Sequence, residues 1–358
     1  MKKRVFNLGL LAMAMAVASC SNNDDSSGTD PNEALFAATI ADVTNDVITV
    51  TYEELNAKAT TLKTAINTLA ATPNEANLQA VKTAWSATRA PWEQSEGFLY
   101  GPVDTGGIDP AMDTWPVDVS AMNAILNSSQ NITASLIAAN NEARGFHLIE
   151  FLVWGEDGTK TADQLTARQL QYLQAAATDL QNNTQALYDG WKASGGNYGS
   201  NFINAGAGSN IYPSKKAALE EIIEGLITIA DEVGNGKIED PLNSEGNTPN
   251  AELEESRFSN NSKLDFANNM RSIQNIYMGD YAGNNGAGLT DIIVASNPAL
   301  DTEIKAKITA AITGIEAIPG TFSDAIYNNR PAVVAAQAKV AELQLLLESQ
   351  VKPYVNGL

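Results

Sequence analysis

Ser214-Lys215-Lys216-Ala217-Ala218-Leu219-Glu220-Glu221-Ile222-Ile223-Glu224-Gly225-Leu226-Ile227-Thr228-Ile229-Ala230-Asp231-Glu232-Val233 is the stretch from which the fold can be read. Leu219, Ile222, Ile223, Leu226, Ala230 and Val233 recur three and four positions apart, the spacing that gathers apolar side chains into one buried stripe of a helix. Val340, Leu343 and Leu347 repeat the pattern near the C-terminus. The segment 163–193, rich in Leu, Ala and Gln and introduced by Thr161-Ala162-Asp163-Gln164, reads as one long helix with capping residues at its start. No comparable run alternates with period two, and no Asn-Gly or Asp-Gly turn joins two β-rich runs. The expected fold class is all-α.

Breaks fall where Gly, Pro, Asn and Asp gather, at 100–118, 195–213, 234–250 and 279–288. The second of these divides the chain into two helical-bundle halves, 33–196 and 213–358, each long enough for about four helices. No strong internal repeat relates them.

The N-terminus carries Lys2-Lys3-Arg4 followed by an apolar run from Val5 to Val17, a secretory signal too short to span a bilayer as a mature helix. It ends in Val17-Ala18-Ser19-Cys20, which resembles the lipobox of bacterial lipoproteins. The expectation is a signal peptide over 1–19, lipidation of Cys20, and a polar tether over 20–32. That places the protein in the bacterial cell envelope, held by its lipid at a membrane, with the outer membrane expected. Cys20 is the sole cysteine, so no disulfide forms within the chain. The 42 acidic against 22 basic residues make nucleic acid an unsuitable partner, because a phosphate backbone calls for a basic face.

His147, the single histidine, lies in Gly145-Phe146-His147-Leu148-Ile149-Glu150. On a helix His147 and Glu150 share a face and can close on one bound atom. The plainer alternative is a core histidine beside Phe146, Ile149 and Val153. Against it, a buried unpaired Glu150 would be costly, so a cation or proton must be supplied. Glu93 and Glu96 repeat the spacing on an earlier segment. Metal-binding bundles use such inward carboxylates and imidazoles. With one histidine the zinc-protease motif His-Glu-x-x-His cannot be built, and no EF-hand loop, phosphate-binding glycine loop or Gly-x-Ser-x-Gly elbow is present. A largely oxygen site suits iron, manganese, calcium or magnesium better than copper(I) or structural zinc.

The block Gly145-x-His147-x-x-Glu150 closely resembles the signature of the imelysin-like proteins, or M75 peptidase family. Ala84-Trp85, Arg89, Pro91-Trp92, Ser95-Glu96-Gly97-Phe98 and Asp113-Thr114-Trp115-Pro116 are similar to its first-half blocks. Glu255-Ser256-Arg257-Phe258-Ser259, Asp265, Asn269, Arg271, Ile273, Asn275-Ile276-Tyr277 and Gly279 resemble the second-half block of the iron-regulated protein A subgroup. The resemblance implies two helical bundles with the signature helix facing a cleft between them, and an association with iron acquisition. Carried over residue by residue, it marks His147, Glu150 and Glu96 as metal ligands and Arg257 and Arg271 as ligand-binding candidates near the cleft. Glu93 joins the candidates from its spacing and has no clear family counterpart. The leading expectation is a lipid-anchored protein that binds iron, or an iron chelate, for uptake together with other uptake-system proteins. The alternatives are an M75-type metallopeptidase with Glu150 or Glu96 as general base, and a surface scaffold in which the signature is a structural ion pair. Trp92, Trp115, Trp154 and Tyr277 are expected in the core rather than against an organic ligand.

Overall fold

The computed structural model describes residues 31–358, so the signal segment, Cys20 and most of the expected tether lie outside the described residues. The long helices are α1 (Pro31–Asp42), α2 (Val50–Ala71), α3 (Glu75–Glu93), α4 (Gly145–Trp154), α5 (Ala167–Trp191), α6 (Lys215–Glu232), α7 (Ser262–Met278), α8 (Pro298–Glu316) and α9 (Arg330–Leu346). The fold is all-α. Among the described residues, strand structure is confined to a hairpin pairing Asp280–Tyr281 with Asn284–Asn285 inside the 279–288 break.

Helix α6 forms as its periodicity requires. Ser214 caps it by accepting the Ala217 N–H, and Leu219, Ile222, Ile223, Leu226 and Ala230 are buried. Helix α5 starts later than the sequence suggested. The box at Thr161 and Gln164 caps one short 3-10 turn, Leu165 is extended, and a second box at Thr166 and Gln169 opens the long helix.

One continuous core runs through both halves, from Trp85, Phe146 and Leu173 to Ile222, Ile273 and Val340. In the first half α2 packs between α3 and α5; in the second α8 packs between α7 and α9. The halves join where α7 lies along α3 and where α6 crosses the turn 96–98. At that crossing a Cβ on Gly225 would lie 2.2 Å from the Gly97 carbonyl oxygen, an approach only glycine permits. The contact brings Glu96 against α6. Helix α1, which the sequence division assigned to the first half, packs instead on α6. It is tied to the second half by Thr39 Oγ1, which donates to the Gly288 carbonyl (3.2 Å), and by Asp42, which accepts the Ala287 N–H (2.7 Å).

Candidate metal centre

Helix α4 carries the signature. Gly145 opens it at φ +84°, and a Cβ there would lie 2.3 Å from the Met112 carbonyl oxygen. This close passage sets Asp113 beside His147, in the first turn of the helix. His147 and Glu150 have no exposed surface.

The pair does not converge on a common guest as the sequence suggested. His147 Nδ1 lies 3.0 Å from Glu150 Oε2, and Glu150 Oε1 accepts both the N–H (2.8 Å) and the Oγ–H (2.7 Å) of Ser259. Glu150 is therefore satisfied from within. An ionised carboxylate only accepts, so Nδ1 carries the proton and, in the neutral ring, the Nε2 lone pair faces away from Glu150. Nε2 lies 3.1 Å from Asp113 Oδ1 and 3.5 Å from Glu255 Oε1. Among the described residues buried Nε2 has no hydrogen-bond partner of good geometry, although Asp113 stands within ion-pair distance.

Around it stands a dense array of charges. Arg89, from α3, binds Glu93 and Asp113, Glu255 Oε1 at 2.8 Å and Asp265 Oδ2 at 3.4 Å. Its guanidinium also lies 5.9 Å from the Trp85 ring centre and 5.0 Å from that of Phe146. Lys237 Nζ lies 3.0 Å from Glu96 Oε2, 3.1 Å from Glu255 Oε2 and 3.5 Å from Glu93 Oε2. Asn269 Nδ2 donates to Glu93 Oε2 and Glu96 Oε2, while its Oδ1 has no partner. Ser256 sits at φ +56°, a strained setting for a non-glycine residue, and its Oγ donates to Asp265 Oδ2 at 2.6 Å. That turn aims Glu255 at the cluster while Ser259 meets Glu150.

The electrostatics follow from burial and from this company. Burial pushes Glu96 well above the usual carboxylate range despite Lys237, and it raises Asp265 to about 6 in spite of Arg89. Burial also opposes the charge on Asp113 and Glu255, but Arg89 and His147 hold Asp113 well below its ordinary value, and Lys237 with His147 and Arg89 hold Glu255 at about 2. Desolvation disfavours the imidazolium of His147, yet the carboxylates of Asp113, Glu150 and Glu255 outweigh it and raise its pKa well above the ordinary histidine value.

Single atoms of Asp113, His147 and Glu255 lie within 4.8 Å of one another, as do atoms of Glu93, Glu96 and Asp113. A metal about 2.0–2.2 Å from its donors separates neighbouring donor atoms by about 3.0–3.5 Å, the spacing found around Nε2. The nitrogen and the oxygen-rich set could hold a metal ion on His147, Asp113 and Glu255, with Arg89 sharing the Asp113 Oδ1 and Glu255 Oε1 oxygens. Glu150 falls outside that set and orients the imidazole. Of the other residues singled out in the sequence, Glu93 and Glu96 line the cluster. Arg257 does not reach it: its guanidinium stacks 4.4 Å over Phe258 and pairs loosely with Glu156 at 3.9 Å. Arg271 pairs with Glu316, outside the cluster. The sequence reading gave Asp113, Glu255 and Arg89 no role in the site, although all three stood in the blocks that carried the resemblance. Lys237 was hidden in a segment read only as a break. Trp92 and Tyr277 lie in the core and Trp154 packs against it, whereas Trp115 departs from the expectation: it is partly exposed, lines the mouth beside Asp113 and Glu255, and makes edge contact with the His147 ring at 4.9 Å.

The imelysin (peptidase M75) family model matches residues 48–350. Iron-regulated protein A of Synechococcus elongatus is 30% identical over 363 residues, covering 99% of this chain and 95% of that protein. A crystal structure of a Parabacteroides distasonis protein assigned as an iron-regulated protein A precursor superposes with a TM-score of 0.79 at 27% identity, over 91% of this chain and 96% of that one. An imelysin-like protein from Psychrobacter arcticum shares the fold, with a TM-score of 0.74 at 15% identity, over 91% of this chain and 97% of that one.

Proposed function

This chain belongs to the imelysin family, and on that premise we propose that it captures ionic iron at the bacterial cell envelope as a binding component of iron uptake, tethered through a lipid on Cys20. The observation that carries the reading is His147 Nε2, buried and unpartnered beside the oxygens of Asp113 and Glu255. A nitrogen in such a place calls for a proton facing Asp113 or for a bound cation. One imidazole with carboxylates suits Fe(II) or Mn(II). The mouth lined by Asp113, Trp115, Lys237 and Glu255 has a volume of about 270 Å³, small for haem or a siderophore and ample for an ion.

The resemblance to iron-regulated protein A supports the link to iron. A peptidase reading is less well served by the geometry. The acids suggested as general base are engaged: Glu150 by His147 and Ser259, Glu96 Oε2 by Lys237 and Asn269. Loaded with metal, the protein would present His147, Asp113 and Glu255 to the ion, and the ion would supply Lewis acidity. Glu150 would hold the imidazole in the binding tautomer.

The experiment is metal analysis of protein purified without chelator, followed by anaerobic Fe(II) titration of wild type and His147→Ala. Stoichiometric metal and at least tenfold weaker binding by the variant are expected. Equal affinities would remove the residue from the site, and chelator-sensitive peptide cleavage would favour the peptidase reading. Mass spectrometry of the mature N-terminus tests the lipid on Cys20.

A further inference from the structure

The two lysine and arginine cations in the carboxylate cluster are held very differently. Arg89 has no exposed surface, rises from a helix, and is gripped by Glu93, Asp113, Glu255 and Asp265 at once. Lys237 closes the π-helical turn Val233–Lys237 that follows α6, a turn containing Gly234 and Gly236. A Cβ added at Gly236 would meet nothing within 4 Å, so the turn is open on that side, while Gly234 is buried and its carbonyl accepts from Gln337 Nε2 at 2.9 Å. Lys237 also lines the mouth of the site, in company with Glu232 and Asp240.

Lys237 touches both groups of potential ligands. Its ammonium bonds Glu96 and Glu255, and Glu255 is at the same time within reach of the unpartnered His147 Nε2. A metal ion on His147, Asp113 and Glu255 would face that ammonium across the same carboxylate, and two cations there repel. One must move. Arg89 also holds Asp113 and Glu255, but it does so from a helix and through four acids at once, whereas Lys237 has a long flexible stem, a turn that is open at Gly236 and two acids at the mouth to receive it.

Building on the metal-capture reading above, we infer that Lys237 is an exchangeable stand-in for the captured cation. Without metal its ammonium neutralises Glu96 and Glu255. When the ion takes Glu255, Asp113 and His147, Lys237 swings outward toward Glu232 and Asp240. Capture then replaces the single charge of the ammonium with the two or more of the ion inside the protein and releases the lysine to the surface, and the cargo that can drive the exchange is a bare multivalent cation rather than a neutral chelate.

The test is amine labelling of the whole mature protein by reductive methylation under anaerobic conditions, with and without saturating Fe(II) and read by mass spectrometry. Labelling of Lys237 should be slow without the metal and rise at least fivefold with it, while that of Lys305, 40% exposed, stays constant. Unchanged or reduced labelling at Lys237 with stoichiometric Fe(II) bound would overturn the exchange and leave metal capture standing. Absence of Fe(II) binding altogether would sink metal capture, and the exchange with it. Lys237→Met should bind Fe(II) at least tenfold more tightly than wild type; equal or weaker binding counts against exchange. If that variant does not fold, Lys237→Arg, which grips carboxylates through two donors, should bind at least threefold more weakly, and unaltered affinity would be the contrary result.

Discussion

Two buried charge sites lie one turn apart at the start of the signature helix. Arg144, its cap residue, meets Asp179 of α5 through two bonds of 2.8 Å, Nε to Oδ2 and Nη2 to Oδ1. One cation faces one anion, and both oxygens are matched. His147 opens instead onto a cluster where Glu93, Glu96, Asp113, Glu150, Glu255 and Asp265 outnumber Arg89, Lys237 and the imidazole, and where a ring nitrogen is left without a bond. The first site is complete as folded. The second keeps an excess of negative charge that only protons or added cations can relieve, and this difference separates a structural ion pair from a ligand site more surely than burial does.

The largest expected effect comes from removing the central cation. Arg89→Ala leaves four carboxylates facing one another and should cost roughly 5 kcal/mol or more. At the other site, Arg144→Met combined with Asp179→Leu should change stability by no more than about 2 kcal/mol in either direction, since apolar residues of similar size can replace a closed pair. Chemical denaturation of both variants checks the contrast; similar losses would erase it. Glu150→Gln comes next. An amide can donate to Nδ1 and reverse the tautomer, so Fe(II) affinity should fall about 10–100-fold with little loss of fold, measured by anaerobic titration.

A pH series probes the acid load behind the cluster. Burial raises Glu254 to about 6 against the opposing hydrogen bonds of Ser262 and Ser323. Because the folded value exceeds the ordinary 4.5, folding favours the protonated form. Stability from this group is complete below about 4.5, is lost as pH rises to about 6, and stays lost above it. Relative to wild type, Glu254→Gln should gain roughly 2 kcal/mol across that window and then hold level, as followed by thermal melts. A flat difference would remove Glu254 from the account. The same logic bears on metal binding. With His147 raised well above the ordinary value, protons compete for Nε2 at higher pH as well. The smallest effects belong to Arg257→Ala and Arg271→Ala. Their ion pairs are partly exposed and outside the cluster, so stability should shift by no more than about 1 kcal/mol and Fe(II) affinity should not change.

Helical periodicity, the capping serine of α6 and the spacing of His147 and Glu150 were all legible along the chain, because each depends on neighbours within a turn or two. The chain alone determined an all-α fold and a family signature. It also marked the one imidazole on which a metal reading could rest. Only the tertiary structure decided that Glu150 closes on Ser259, that Asp113 and Glu255 take its place beside Nε2, and that Arg257 and Arg271 face elsewhere. Those outcomes depend on approaches between segments far apart in sequence, such as Gly145 against Met112 and Gly97 against Gly225. The direction in which a side chain finds its partner is settled there by packing, which local spacing does not encode.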